Sequence, residues 1–102
     1  MTYEEAEGWT ALADPTRRSI LTTLAERERT VGELTEALPV SQPAVSQHLK
    51  VLKHVGLVTD RAVGTRRIYR LNEAGVAALR DQLDTFWKRT MSGFERLMEE
   101  DV

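Results

Sequence analysis

Apolar residues recur at helical spacing in residues 41–58, SQPAVSQHLKVLKHVGLV, and this pattern predicts a short surface helix. At ~100° per residue, Val45, Leu49 and Leu52 fall within one narrow arc, which suits contact with a core. Ser41 suits the N-cap, and a proline in the first turn removes an amide that has no helical partner. The opposite side is expected to face outward and is polar and basic, with Pro43, Ser46, Gln47, Lys50 and His54.

Similar patterns predict three helices before this one. The first covers residues 3–13, the second Pro15–Glu26 and the third Val31–Ala37. Thr30 and Glu33 have the spacing of a capping box at the start of the third helix. Only a few residues separate the third helix from the next, so the two predict a helix-turn-helix unit.

A hairpin follows the helix that begins after Ser41. Gly56 is expected to end that helix in the left-handed conformation. Residues 57–62 and Arg66–Leu71 are rich in β-branched and aromatic residues, and Gly64 between them supplies the positive φ of a tight turn. The predicted fold class is therefore mainly α (α+β). We expect a single winged helix-turn-helix domain over residues 1–102, with about five helices and a two-stranded β-hairpin wing.

The last predicted helix spans residues 73–99 without a proline and carries large apolar side chains at three- and four-residue steps. At ~1.5 Å per residue it is about 40 Å long, whereas a compact domain of this size has a radius of gyration near ~13 Å. One subunit cannot cover such a helix, so a second copy under a two-fold axis is the expected partner. The alternative is a helix folded back on its own core with a frayed acidic end. The expected dimer contacts are Ala6, Trp9, Leu83, Phe86, Trp87, Met91, Phe94, Leu97 and Met98.

Basic residues are concentrated in one part of an otherwise acidic chain. The whole protein has 14 basic and 16 acidic residues. Residues 41–72 hold six basic residues against one acid, Asp60, a net charge of +5, and the remainder holds eight basic and 15 acidic residues, a net of −7. A confined basic segment predicts one oriented docking face for nucleic acid. Chance clustering of arginines on a loop is the alternative.

Composition narrows the classes of function. The 102 residues include no cysteine, which excludes disulfides and thiolate metal ligands. The first nine residues, MTYEEAEGW, are acidic and do not predict a signal peptide, and no run approaches the ~20 apolar residues of a membrane span. No nucleophilic cysteine, histidine–carboxylate motif or glycine-rich phosphate loop indicates an enzyme. A cytoplasmic, non-enzymatic protein without a membrane partner is the expectation.

Four segments of the chain together resemble the ArsR/SmtB family of winged-helix repressors. They are ALADPTRRSILTTL, TVGELTEAL, SQPAVSQHLKVLKHVGLV and GTRRIYRL, and they follow the family's order and spacing over residues 11–71. The resemblance implies a homodimeric repressor that binds a pseudo-palindromic operator in double-stranded DNA and releases it on sensing a signal. It places Ser46 and Gln47 at base-facing positions of the recognition helix, while His48 and Lys50 match positions that brace the unit or contact phosphate.

The chain departs from the metal-sensing members of that family. Thr30 and Gly32 occupy the positions of the Cys-x-Cys pair that binds thiophilic metals, and no histidine follows His54 to complete a site on the last helix. We therefore expect no metal and no other cofactor. Control by protein abundance and control by an unknown small-molecule effector are both compatible with the sequence. Thr65 stands where many relatives have a basic residue after the wing glycine, so Arg66 is expected to make the contact at the wing tip.

The predicted DNA-binding surface combines the outer face of the recognition helix with the arginines of the wing. Gln, Ser and Lys side chains can bond base edges and phosphates in the major groove, and wing arginines can reach a minor groove. The alternative is a winged-helix module that docks only proteins, although an apolar patch would be more typical of that role. The predicted DNA contacts are Ser41, Gln42, Pro43, Ser46, Gln47, His48, Lys50, Arg61, Arg66 and Arg67.

Overall fold

The computed structural model describes residues 8–100. Within them the chain forms five helices and an antiparallel sheet, which confirms the predicted winged helix-turn-helix of the mainly α (α+β) class. No helix in this range is both long and apolar enough to cross a membrane. In chain order the elements are α1 (Gly8–Ala11), α2 (Pro15–Glu26), β1 (Arg29–Thr30), α3 (Val31–Ala37), α4 (Gln42–His54), β2 (Val58–Val63), β3 (Arg66–Leu71) and α5 (Glu73–Glu100).

The sheet has one strand more than predicted. β1 consists of Arg29 and Thr30, which pair with Tyr69 and Ile68, so that β3 lies between β1 and β2. β2 and β3 form the predicted two-stranded hairpin wing, and β1 is an additional edge strand that the sequence did not indicate. A strand of two residues is too short to show the alternating pattern of a half-buried strand, and it forms only because β3 offers a free edge.

The first helix is shorter than predicted within the described residues. α1 ends at Ala11. The amide of Ala13 then donates to the carbonyl of Thr10 at 3.1 Å, a tighter turn that ends the helix before the cap of α2. Residues 3–7 of the predicted helix, including Ala6, lie outside the described residues. At the other end, α5 extends to Glu100, one residue beyond the prediction.

The hydrophobic core lies between the helices of the helix-turn-helix unit, α2 and the sheet. The inward stripe predicted for α4 is confirmed, because Val45, Leu49 and Leu52 are at most 1% exposed. Full burial of each such side chain contributes about 1.5–3 kcal/mol. From α5 only Leu79, near its start, is fully part of the core. The buried core residues are Ala11, Ile20, Leu24, Leu34, Val45, Leu49, Val51, Leu52, Leu57, Val58 and Leu79.

Side-chain caps fix the start of α3, as predicted. The Glu33 amide donates to Thr30 Oγ1 at 3.2 Å, and the Thr30 amide donates to Glu33 Oε1 at 3.0 Å. The hydrogen bond from the Thr30 amide, together with one from the Arg27 guanidinium, lowers the pKa of Glu33 to about 2. The capping box is thus formed with a charged carboxylate, which suits the positive end of a helix.

α4 and α5 meet backbone to backbone. Gly56 follows α4 with a φ of +83°, which confirms its predicted left-handed conformation. A Cβ atom at Gly75 would overlap the carbonyl oxygen of Gly56, so only glycine fits at this point of α5. The same oxygen accepts a hydrogen bond from Asn72 Nδ2 at 2.9 Å. The base of α5 is therefore fixed against the end of α4.

Candidate nucleic-acid interface

The first turns of α4 present polar side chains to solvent. Ser41 caps the helix, and its Oγ accepts a hydrogen bond from the Ala44 amide at 3.3 Å. Burial of Val45 and Leu49 holds the helix on the core and leaves the residues between them on the outer side. The predicted contact residues of this helix that are exposed are Ser41, Gln42, Pro43, Ser46, Gln47 and Lys50.

His48 differs from those residues because it is half-buried. Its charge acts on Asp14, the N-cap of α2, across the junction between α2 and α4. Burial raises the pKa of Asp14, but the backbone hydrogen bonds from Arg17 and Thr16 and the charge of His48 outweigh it, so that this pKa lies below its usual value. This environment fits the bracing role among the two roles expected for His48.

The wing ends in a two-residue turn. Val63 pairs with Arg66, and Gly64 between them has a φ of +62°. A glycine with positive φ at the first turn position is the type II′ arrangement, whose twist matches that of the flanking strands. Because side chains alternate along a strand, Arg66 and Arg67 lie on opposite faces of the wing.

Arg61 is held by a carboxylate of the protein itself. Its Nη1 and Nη2 atoms donate to Oε2 and Oε1 of Glu28, each at 2.7 Å. The hydrogen bond from Arg61 is the main reason that the pKa of Glu28 is lowered. The guanidinium fork is thus occupied in the geometry by which it would bind a phosphate. Glu28 was not predicted to belong to the site, and no local pattern indicates a partner 33 positions away.

Arg67 shares a carboxylate with a lysine of α4. Lys53 Nζ lies 2.8 Å from Asp60 Oδ1, and Arg67 Nε lies 3.1 Å from Asp60 Oδ2. Lys53 and Asp60 were not predicted as site residues. The signal that could have found them is that Asp60 is the single acid in the basic segment and stands a few residues after the lysine-bearing end of α4.

The three wing arginines therefore have three different environments. Arg61 is forked onto Glu28, and Arg67 is bound to Asp60. Arg66 is exposed at the wing tip and has no ion-pair partner within residues 8–100. Of the predicted wing contacts, Arg66 is thus the one whose guanidinium is fully available to a ligand.

The predicted dimer contacts that lie within residues 8–100 form a largely uncovered apolar surface along α5 and α1. Trp9 and Phe86 make an edge-to-face contact with their ring centroids 5.8 Å apart, and Phe86 and Trp87 do the same at 5.2 Å. Leu83 is half-buried against the core, and α5 continues beyond it, so that the molecule measures 65 × 27 × 25 Å. The exposed members of the predicted set are Trp9, Phe86, Trp87, Met91, Phe94, Leu97 and Met98.

The sequence is similar to known families and proteins. Residues 14–60 match the family described as "Bacterial regulatory protein, arsR family". The chain is 54% identical over 101 residues to the HTH-type transcriptional regulator Rv2034 of Mycobacterium tuberculosis (strain ATCC 25618 / H37Rv), which covers 98% of this chain and 94% of that protein. It is 49% identical over 67 residues to the HTH-type transcriptional repressor SmtB of Mycobacterium tuberculosis (strain CDC 1551 / Oshkosh). The aligned region covers 66% of this chain and half of SmtB.

Solved structures show the same fold. One, described as a possible transcriptional regulator for arsenical resistance, superposes with a TM-score of 0.71 at 47% identity, over 76% of this chain and 80% of that chain. An ArsR-like transcriptional regulator from Rhodococcus sp. RHA1 has a TM-score of 0.68 at 32% identity, over 87% of both chains. These similarities support the winged-helix fold described above.

Proposed function

This chain belongs to the ArsR family of bacterial regulatory proteins, and we propose that it represses transcription by binding a pseudo-palindromic operator as a homodimer. As a member of that family it is a DNA-binding transcriptional regulator and not an enzyme. In our proposal residues 1–102 act as a single winged-helix domain in the cytoplasm. α4 and the wing bind DNA, while the N-terminal helix and α5 form the dimer interface.

The observation that carries the DNA-binding part is the exposed polar face of α4 next to a basic wing. Ser46 and Gln47 are exposed on α4, with the side-chain chemistry that bonds base edges in the major groove. Arg66 at the wing tip has a free guanidinium, which can contact phosphates or enter a minor groove. Base contacts from α4 would select the sequence, and the wing would add affinity and orientation.

The exposed apolar stripe of α5 supports the dimer. Phe86, Trp87 and Phe94 are each about half exposed, and an apolar stripe of this length on a soluble helix favours a partner surface. A two-fold axis would place the two copies of α4 so that they read half-sites about one helical turn, ~34–36 Å, or a multiple apart. The operator would then be an inverted repeat.

Selection from a random duplex DNA library tests the proposal and identifies the operator sequence in the same experiment. We expect the selected sequences to share an inverted repeat, and the protein to sediment as a dimer at micromolar concentration. Selected sequences without a consensus would favour the alternative of a protein-docking module. A monomer that protects a full inverted repeat would contradict the two-fold arrangement.

Two pairs of variants separate base contacts from phosphate contacts. Gln47→Ala should reduce the favourable free energy of binding to the selected duplex by about 1–3 kcal/mol and relax the preference at one base position, whereas Gln82→Ala on α5 should do neither.

Arg66→Gln should weaken binding to all duplexes and reduce the salt slope by about one. Arg61→Gln should reduce it less, because Glu28 already neutralises that guanidinium. An unchanged salt slope for Arg66→Gln would contradict the wing assignment.

We further propose that regulation does not use a transition metal. The chain has no cysteine and only two histidines, His48 and His54, and within residues 8–100 no three potential ligand side chains come together. Thiolate and imidazole are the ligands that zinc, nickel and cadmium prefer in proteins. We expect these ions and arsenite at micromolar levels to leave affinity for the selected duplex unchanged. A stoichiometric metal in tag-free protein that releases it from DNA would contradict this expectation.

A further inference from the structure

One carboxylate connects the recognition helix to the wing. Asp60 on β2 binds Lys53, in the last turn of α4, with one oxygen and Arg67, on β3, with the other, at 2.8 and 3.1 Å. The Asp60 side chain is only 6% exposed, whereas the side chains of Lys53 and Arg67 are 54% and 56% exposed. The acid is therefore inside the junction and the two cations are outside it. We propose that Asp60 is a positioning residue that joins Lys53 and Arg67 into one site for a backbone phosphate of DNA.

The donors that remain free point to an anionic ligand. Arg67 contacts Asp60 through Nε, which leaves the donors of both terminal amino groups available. Lys53 offers three N–H donors, of which the contact with Asp60 uses one. A phosphate needs several donors arranged around it, and arginine provides two of them in a fork. The three side chains together carry a net charge of +1, so the site still attracts a phosphate.

The pair formed by Arg61 and Glu28 has the opposite arrangement and supports this assignment. Arg61 uses both terminal nitrogens for Glu28, and both partners are exposed. Such a pair has no net charge and its fork is filled. In the Asp60 site the carboxylate is buried behind its cations, so that it orients them without competing for the face that would meet DNA. Withdrawing a carboxylate from water costs free energy unless it is paired, and Lys53 and Arg67 provide that pairing for Asp60.

The site lies where the two parts of the proposed DNA-binding surface join. Lys53 belongs to the helix that would enter the major groove, and Arg67 belongs to the wing that would follow the adjacent backbone. A phosphate bound by both would fix the angle between helix and wing, and phosphate contacts set the register of a protein on duplex DNA. This inference rests on the proposed DNA-binding function.

Asp60→Asn tests the inference through the sign of its effect. The substitution keeps the size of the side chain and makes the protein one unit more positive, so charge alone would tighten binding to DNA. Glu99→Gln, near the far end of α5, makes the same change in charge away from the junction. The probes are the duplex selected by the wild-type protein and an unrelated duplex of equal length, titrated at several salt concentrations. We expect Asp60→Asn to weaken binding to the selected duplex roughly tenfold and to reduce its salt slope, while Glu99→Gln does neither.

A double-mutant cycle provides a second measurement on exposed side chains that leaves Asp60 intact. If Lys53 and Arg67 bind one phosphate, the losses of binding free energy from Lys53→Gln and Arg67→Gln should be less than additive. Either substitution alone removes one of the two cations that the site requires. Additive losses, or an Asp60→Asn protein that binds as tightly as the wild type or more tightly, would overturn the inference alone. A wild-type protein that enriches no duplex from the random library would overturn the proposed function together with it.

Discussion

α4 and α5 carry the same kind of apolar stripe, but residues 8–100 cover only that of α4 along its length. Leu52 of α4 is fully buried, whereas Leu97 of α5 is 58% exposed. The stripe of α4 packs on α2, α3 and the sheet, while that of α5 leaves the core after Leu83. Amphipathic periodicity thus shows that a helix needs a partner surface, and only the three-dimensional structure shows whether the same chain supplies it.

The largest effect is expected from a matched pair of leucine substitutions. Leu52→Ala should lower the free energy of unfolding by about 2–5 kcal/mol, because it leaves a cavity in a packed core. Leu97→Ala makes the same chemical change at an exposed site and should have little effect on the isolated chain. Chemical denaturation at low protein concentration measures both. Equal losses for the two variants would show that α5 is already covered within one chain.

The second largest effect is expected on the stability of the dimer, which depends on protein concentration. Phe94→Ala should weaken the dimer by about 3 kcal/mol if the ring is buried between subunits, and it should reduce the rise of the melting temperature with concentration that a dimer shows. Val63→Ala removes an exposed apolar side chain from the wing tip and serves as the control. Analytical ultracentrifugation measures the dimer constant directly. An unchanged constant for Phe94→Ala would place the interface elsewhere on the molecule.

The smallest effect is expected on the pH dependence of the unfolding free energy. It concerns the N-terminal cap of α3 rather than an apolar stripe. Because the folded-state pKa of Glu33 is about 2 and the ordinary value is 4.5, its charged form stabilises the fold above pH 4.5, and this contribution is lost as the pH falls towards 2. Glu33→Gln keeps a capping side chain but removes the charge. It should therefore flatten the dependence of unfolding free energy on pH within that window. Glu36→Gln, on the same helix, controls for net charge, and an equal slope in wild type and Glu33→Gln would contradict the assignment.

Much of the fold could be predicted because the signals that set it are local. α2 and α3 have the predicted bounds, since Asp14 and the capping box of Thr30 and Glu33 act within one helical turn. Gly64 likewise identified the turn of the wing. The length of α5 also predicted that its apolar stripe would extend beyond the core of one subunit, and the stripe is exposed after Leu83.

The parts that could not be predicted depend on contacts between distant positions. β1 exists only through its pairing with β3, and the contact of Arg61 with Glu28 joins residues 33 positions apart. The sequence predicts Arg61 and Arg67 as members of one basic DNA-binding surface. In the structure Arg61 binds Glu28, which the fold brings to the wing from outside the basic segment, whereas Arg67 binds Asp60 of the wing itself.

The backbone contact between Gly56 and Gly75 couples the orientation of α5 to that of the recognition helix, α4. No side chain lies between the two backbones to absorb a small movement, and even a Cβ atom added at Gly75 would overlap the Gly56 carbonyl oxygen. Beyond Leu83, the last residue of α5 that packs on the core, the helix runs about 25 Å to Glu100, so a rotation of about 5° moves its tip by roughly 2 Å. In reverse, we expect a displacement of a few ångströms at the tip of α5 to change slightly the tilt of this helix against the end of α4.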